Sequence, residues 1–390
     1  MTISSIALVN FRNIRSAQLH LSPRINIFRG ENGAGKTSVL EALYFSLTGK
    51  SFRTRSQSDY INRHPKDKFE TKVKLSFEHP ALIDGVDVSD LTVEVAKSQK
   101  SRNNIINNGL NTVSRFSSLT QGFPCFYFSP ESLSFLSGDP LSRRSYIDWL
   151  LFHVEPSYRD TYLLYKRTHK NRNAILSELK RNKTLSSDSK HDYLKQLDFW
   201  TEKFVSLNNT ISQLRQDHLQ VVFDGVLEIT REKFNLCDLE LDVSHYKGWS
   251  DVDLTSMLKE QADSEMALGY SLSGIHKADI LVSGTDGIKG KFVLSRGQTK
   301  LVTLAFVIAA VEYIRKSCGK AVVLMLDDVF SELDRLNSEK VSGIIAELQE
   351  HQILLTSAEQ SLSFTDVHLN SLQHQSKMFH VKHGEFIEEK

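Results

Sequence analysis

Eight consecutive residues carry the strongest chemical signal in the chain: Gly30-Glu31-Asn32-Gly33-Ala34-Gly35-Lys36-Thr37 satisfies G-x-x-x-x-G-K-[ST]. Glycines let the backbone turn tightly and aim successive N–H groups inward, and a helix starting at the end of the loop adds positive potential. Lys36 is expected to reach the β- and γ-phosphates of a nucleotide and Thr37 to ligate Mg2+, with Gly30 through Ser38 forming the cradle. The plain alternative is a glycine-rich turn that holds nothing.

Two further groups fit the same chemistry. Leu324-Met325-Leu326-Asp327-Asp328 is an apolar strand that ends in two carboxylates, so Asp327 can hold Mg2+ while Asp328 orients or deprotonates an attacking water. Taken alone, paired acids after a buried strand also read as the start of an ordinary loop. Leu294-Ser295-Arg296-Gly297-Gln298 precedes an apolar helix and offers a hydroxyl and backbone donors at a helix N-terminus, again suited to phosphate.

A phosphate loop requires a strand before it and a helix after it. Ile25, Ile27 and Phe28 supply the strand, and Val39, Leu40, Leu43, Tyr44 and Leu47 recur with helical spacing. The runs Ala321-Val322-Val323-Leu324-Met325-Leu326 and Gln352-Ile353-Leu354-Leu355 are continuously apolar, as in parallel strands covered on both faces. Period-two segments at 72–77 and 91–95 predict a strand-rich first hundred residues. All seven prolines lie between Pro23 and Pro156, which leaves the second half of the chain open to long helices. Trp200, Phe204, Leu207, Ile211, Leu214 and Val221 keep a three-four spacing spoiled only by His218, and predict a helical arm. An upstream partner over about 156–181, connected through 182–190, makes this an αα-hairpin; two ordinary core helices account for the pattern equally.

Composition sets the frame. At roughly 100–200 residues per domain, 390 residues predict two lobes. With 40% hydrophobic and 24% charged residues the chain is globular, which excludes a disordered, collagen-like or disulfide-scaffold protein. Forty-eight Lys and Arg against 47 Asp and Glu leave a net charge of +1, so any polyanion-binding surface must be a local patch. Cys125, Cys237 and Cys318 lie far apart and form no C-x-x-C pair, which suggests reduced, buried thiols rather than disulfides or a zinc site. The longest apolar stretch, 301–311, falls short of the roughly 18–20 residues that span a bilayer, and the N-terminus shows no signal-peptide pattern. No membrane association and a cytoplasmic location are expected.

The order phosphate loop, distant Ser-x-Gly-Gln, then Asp-Asp resembles the ABC-type ATPases, whose signature segment serves the nucleotide held by the opposite subunit. The resemblance sharpens along nearly the whole chain. Asn10-Phe11-Arg12-Asn13, the phosphate loop, Gly49-Lys50-Ser51-Phe52-Arg53-Thr54, Phe128-Ser129-Pro130-Glu131-Ser132-Leu133, Gly138-Asp139-Pro140 with Arg143-Arg144, and Leu326-Asp327-Asp328-Val329-Phe330-Ser331-Glu332-Leu333-Asp334 together resemble the RecF family. These are bacterial recombination-mediator ATPases of the SMC/Rad50-like ABC group. The resemblance implies an α/β ABC-ATPase head, a P-loop with a mixed β-sheet and helices, carrying an inserted helical lobe. The lobes are placed at 1–110 (with the phosphate loop), 111–285 (largely helical) and 286–390 (signature, acidic strand and D-loop). It implies that Arg12 approaches the phosphates, that Ser331 to Asp334 form a D-loop at a dimer interface, and that Ser295, Gly297 and Gln298 face the partner's ATP. Three departures qualify the transfer. Asp328 stands where most ABC ATPases place Glu, which predicts slow turnover; Thr356 takes the γ-phosphate switch position usually held by His; Glu131 replaces the Q-loop glutamine. Gly274-Ile275-His276-Lys277-Ala278-Asp279 matches the family only loosely, and His276 reads as structural.

Between residues 166 and 183 seven basic side chains, Lys166, Arg167, Lys170, Arg172, Lys180, Arg181 and Lys183, stand against one acid, Glu178. This run is the candidate DNA-binding surface, with a solvated helix face as its plain alternative. A second group, Arg53, Arg55, Arg63, Lys66 and Lys68, is diluted by Asp59, Asp67 and Glu70. The resemblance implies ATP and Mg2+ as ligands, a weak ATPase, and an ATP-dependent homodimer that grips double-stranded DNA near single-strand gap junctions. It implies RecR as partner, with RecO and RecA in the same pathway of recombinational repair and replication restart. Three other readings share the phosphate loop: the nucleotide-binding subunit of an ABC transporter, an SMC-type tether, for which four or five helical turns per arm is short, and a phosphotransfer kinase, which leaves Ser-x-Gly-Gln unused.

Overall fold

A computed structural model describes residues 2–54, 56, 59, 70–78, 81–83, 86–88, 92–98, 105–107, 116–182, 186–237, 239–284, 294–358 and 376–389. The chain divides into two compact units, one made of 1–133, 232–235 and 296–390, the other of 134–231 and 236–295. Both edges differ from the expected 111–285. The segment up to Leu133 stays with the phosphate loop because a short strand within it pairs beside the acidic strand.

The first unit is built on two sheets. Strands β1 (Thr2–Phe11), β2 (Ile14–His20), β4 (Glu70–Glu78), β7 (Thr92–Ser98) and β8 (Ile105–Asn107) form an antiparallel sheet in the order β2-β1-β4-β7-β8; a separate small hairpin pairs β5 (Ala81–Ile83) with β6 (Val86–Val88). The second sheet runs β15-β14-β3-β13-β12-β9, with β3 (Ile25–Gly30), β9 (Cys125–Phe128), β12 (Val323–Leu326), β13 (Gln352–Ala358), β14 (Ser376–Lys382) and β15 (Glu385–Glu389). Its strands are parallel apart from the edge strand β15. β12 is buried at every position, and so are the first residues of β13, which is why both read as unbroken apolar runs.

Helix α1 (Lys36–Thr48) packs against strands of both sheets, among them β1, β4, β3 and β13. Val39, Leu40, Leu43, Phe45 and Leu47 are fully buried in one core with Phe11, Phe28 and Val73. Burial of a side chain of this size contributes about 1.5–3 kcal/mol, so the helix that carries Lys36 and Thr37 is among the most firmly seated elements. Helix α2 (Phe116–Gly122), the long apolar α9 (Arg296–Cys318) and α10 (Arg335–Glu347) complete this unit. Gln352 ties its two sheets by exchanging hydrogen bonds with both Ile3 backbone groups.

The second unit holds α3 (Ser134–Ser137), α4 (Pro140–Val154), α5 (Tyr158–Arg181), α6 (Ser187–Glu228), α7 (Leu254–Glu260) and α8 (Ala262–Leu268), with the antiparallel pair β10 (Leu241–Tyr246) and β11 (Asp279–Gly284). Asp139 caps α4 from the position before Pro140, whose missing N–H costs nothing at a helix start. α5 and α6 pack on each other as the expected αα-hairpin. The expected stripe on α6 is only partly right: Phe204 and Ile211 are buried, but Val221 is 53% exposed. Leu219, Val222 and Val226 face inward instead, because the buried stripe passes through Asn208 and Arg215, two polar positions that hydrophobic periodicity discards. Asn208 accepts the Ile275 N–H at 2.7 Å and Arg215 pairs with Asp148 at 2.9 Å.

Among the described residues no helix is long and apolar enough to cross a membrane. The three cysteines are free, but only Cys125 is buried and Cys237 is exposed, since it sits in the irregular stretch after α6.

Candidate active site

β3 ends at Gly30, and the chain turns through the phosphate loop into α1. A Cβ at Gly30 would lie 2.2 Å from the Val381 carbonyl oxygen, and Gly35, the residue before the helix, holds φ 120°. Both positions demand glycine. No side chain caps α1, so its N-terminal N–H groups face the loop they follow. Lys36 is buried and its Nζ donates to the carbonyls of Gly30 at 2.8 Å and Glu31 at 3.0 Å, spanning the loop it closes. Asn13 reinforces it by donating to the Gly33 and Ala34 carbonyls and accepting the Ser38 hydroxyl at 2.9 Å.

The parallel register brings the acidic pair to this loop. Thr37 donates its hydroxyl to Asp327 Oδ1 at 3.0 Å, across 290 residues of sequence. The Thr356 hydroxyl, on β13, donates to the same oxygen at 2.5 Å and accepts the Asp328 N–H at 2.9 Å. Tyr127, on β9, donates to Asp327 Oδ2 at 2.8 Å. Three hydroxyls therefore aim one carboxylate. Burial raises the Tyr127 pKa, with the Asp327 charge adding to it, so the phenol stays a donor. Thr356 thus orients the carboxylate pair from the position expected to meet the γ-phosphate. Asp328 sits at φ 52°, a left-handed bend where strand gives way to turn, and is half-buried. Burial, then the neighbouring Asp327 charge, raise its pKa, against the pull of Lys36 and Lys300.

A cavity of about 1080 Å3 has Arg12, Asn13, Asn32, Gly33, Gly35, Lys36, Thr37, Ser38, Asp327, Asp328 and Thr356 in its walls, whereas Gly30, Glu31 and Ala34 of the loop lie outside its lining. Glu131 lines it as well, as do Phe52, Arg53 and Tyr127. The rings of Phe52 and Tyr127 stack nearly parallel, 11° apart. Arg12, at φ 52°, forks onto the buried Glu41 with Nε and Nη2 at 2.8 and 2.6 Å. The sequence assigns no role to Tyr127, Glu41 or Asn13. Only Asn13 carried a signal, its place beside Arg12 in Asn-Phe-Arg-Asn.

Gly297 and Gln298 lie outside the lining of this cavity, as does Ser295. Ser295 is exposed, and a Cβ at Gly297 would meet open space. Helix α9 is nevertheless tied to the acidic strand's turn: buried Lys300 donates to the carbonyls of Asp328 at 3.2 Å and Ser331 at 2.6 Å. Desolvation lowers the Lys300 pKa to about 8. Ser331 donates to the Asp328 carbonyl at 2.8 Å, and Asp334 caps α10 through the Asn337 N–H.

The basic run does not form one surface. Arg172 is buried and pairs with Glu265 at 2.6 Å, with Ser271 at 2.6 Å and Thr201 at 2.9 Å as further acceptors. It holds α5 to its neighbours and is withdrawn from the DNA-binding candidates. Lys166, Arg167 and Lys170 are exposed at i, i+1 and i+4 on α5. Lys180 and Arg181 are also exposed, Lys180 donating to the Leu268 carbonyl and Arg181 facing Glu178 at 3.4 Å. Lys183 lies outside the described residues, and so do Arg55, Arg63, Lys66 and Lys68. His276 sits among Tyr165, His169 and Phe204, a packed ring cluster that bears out a structural role.

The family model described as the RecF/RecN/SMC N terminal domain matches residues 2–384, nearly the full length. The chain belongs to that family. Within it the chain is 30% identical, over 98% of its own length and 99% of the relative's, to the DNA replication and repair protein RecF of Vibrio parahaemolyticus serotype O3:K6. That places it in the RecF branch. Its fold is that of the recombination mediator protein RecF-ATP in the RecFOR pathway, with a TM-score of 0.79 at 22% identity over 100% of this chain and 98% of that one. A crystallised Smc head bound to the C-winged helix domain of ScpA shares the fold more distantly, with a TM-score of 0.58 at 14% identity over 100% and 98% of the two chains. RecF and SMC-type heads thus share the mixed α/β architecture found here, and the ABC transporter alternative is not favoured.

Proposed function

We propose that this chain binds and hydrolyses ATP as part of DNA replication and repair, serving as a switch that closes into a homodimer on duplex DNA. The observation that carries this is the 3.0 Å contact of Thr37 with Asp327, which joins the phosphate loop to the acidic strand inside one cavity. The buried Lys36 and the N-terminus of α1, which no side chain caps, support the holding of phosphates there. A carboxylate of raised pKa takes a proton from water more readily than an ordinary one, which suits Asp328 as base; its short side chain suits slow turnover. The Thr37 hydroxyl and the Asp327 carboxylate fit Mg2+, a hard cation commonly held by one or two protein oxygens and completed by phosphates and water. Bound there, Mg2+ would supply charge neutralisation of the phosphates.

The exposed Ser295 and open Gly297 support a signature segment that meets the partner's nucleotide rather than its own. ATP would then favour the closed dimer by binding it better than the open chain, the requirement for a ligand to drive a conformational change. Exposed Lys166, Arg167 and Lys170 supply a local positive patch on a nearly neutral chain, fitted to duplex phosphates near a single-strand gap. The resemblance to RecF supports RecR as partner, with RecO and RecA acting alongside in a cytoplasmic pathway. Calorimetric titration with ATP tests the reading at its base: the wild-type chain binds, and Lys36→Ala loses binding by about 100-fold or more, since charge-assisted hydrogen bonds each contribute about 1.5–3 kcal/mol. Equal binding by both proteins would refute it.

A further inference from the structure

Glu41 lies one turn into α1 from Lys36 and Thr37, and its side chain is wholly buried. A carboxylate in an apolar interior is costly unless partners surround it. Here they do. Arg12 forks onto it with Nε at 2.8 Å from Oε2 and Nη2 at 2.6 Å from Oε1, the planar side-on geometry that fixes a guanidinium in direction as well as distance. Ser51 donates to Oε1 at 2.5 Å, and Arg53 stands 3.8 Å from Oε2. Arg12 also donates Nη1 to the Asp59 carbonyl at 2.6 Å. Three of its five N–H groups are thereby committed, and the remaining edge belongs to a residue that lines the phosphate-loop cavity.

We infer that Glu41 is the positioning residue for Arg12: the carboxylate, fixed in the second turn of the phosphate-loop helix, aims the guanidinium so that its uncommitted N–H groups meet the phosphates of a bound nucleotide. The inference rests on the ATP-binding reading above and deepens it. An arginine on a left-handed bend at the end of β1 has no other described carboxylate to set its direction. Because Glu41 rides on the same helix as Lys36 and Thr37, Arg12 is registered to the phosphate loop itself.

A double-mutant cycle on the full chain, read by calorimetric titration with ATP and by thermal denaturation, tests it. Arg12→Ala is expected to weaken ATP binding about tenfold and to lower the melting temperature, since it removes the bidentate partner of a buried carboxylate and leaves it only Ser51 and the more distant Arg53. Glu41→Gln is expected to weaken ATP binding by a similar factor. The double variant Arg12→Ala/Glu41→Gln is expected to bind ATP within about twofold of Arg12→Ala alone, yet to melt higher than it, because the buried charge that lost its bidentate partner is gone. Wild-type ATP binding with an unchanged Glu41→Gln variant overturns the inference alone, as does a loss that adds in full to that of Arg12→Ala. Absence of ATP binding by the wild-type chain overturns the nucleotide reading and this inference with it. Should Glu41→Gln fail to fold, Arg12→Lys keeps the compensating charge without the fork: affinity as weak as that of Arg12→Ala supports the inference, and wild-type affinity overturns it.

Discussion

Arg172 and its neighbour Lys170 look alike in sequence and differ in kind. Arg172→Ala leaves Glu265 buried without its cation, and such a loss costs about 3–5 kcal/mol; urea denaturation should register it as a large fall in stability. Replacing Lys166, Arg167 and Lys170 by Ala should leave stability nearly unchanged and lower the slope of log affinity for duplex DNA against log salt by about 0.9 for each phosphate that is no longer neutralised. Asp328→Asn should keep ATP binding and slow hydrolysis by about 100- to 10,000-fold in single-turnover assays. Lys36, Thr37, Asp327 and Asp328 were legible because their chemistry depends on adjacent residue types. Glu41, Tyr127 and Lys300 were not, since each is defined by partners far along the chain: Tyr127 meets Asp327 across 200 residues. No local window holds both halves of such a contact.

At the level of elements, β3, α1, β12, β13 and α9 could be read directly because unbroken apolar runs and helical spacing follow from burial on all sides. α6 departs from its apolar spacing toward its end, because buried Asn208 and Arg215 carry the inward stripe and Val221 turns outward. The tether from α9 to the 328–331 turn yields a pH dependence. The Lys300 pKa is lowered from 10.5 to about 8 by desolvation, so above that pH the amine loses a proton and one of its donors. ATP-dependent association should therefore weaken as pH rises through about 8, and Lys300→Arg should flatten the profile. Over the window from about 8 to 10.5 the unfolded chain holds this proton and the folded chain does not, so the site's contribution to stability rises with pH. A fall in association there is accordingly distinct from unfolding at this site, and sedimentation at several pH values alongside thermal melts separates the two. A flat wild-type profile would sever α9 from the switch.

For the whole molecule, a net charge of +1 makes function depend on where charge lies rather than on how much there is. The sequence located the phosphate loop, the acidic strand and the basic stretch, and left open which basic residues reach solvent, because exposure is settled by tertiary packing. In the proposed switch, ATP closes two chains onto DNA. Ser295→Arg, at an exposed position outside the cavity, should leave ATP affinity intact and block association. The most direct measurement is the mass of the chain by light scattering, with ATP, ADP or no nucleotide, alongside its affinity for gapped and plain duplex at two salt concentrations. Mass should double with ATP alone, salt-sensitive duplex binding should strengthen with it, and both should be lost in Ser295→Arg; mass and DNA affinity indifferent to ATP would rule out an ATP-closed dimer on DNA.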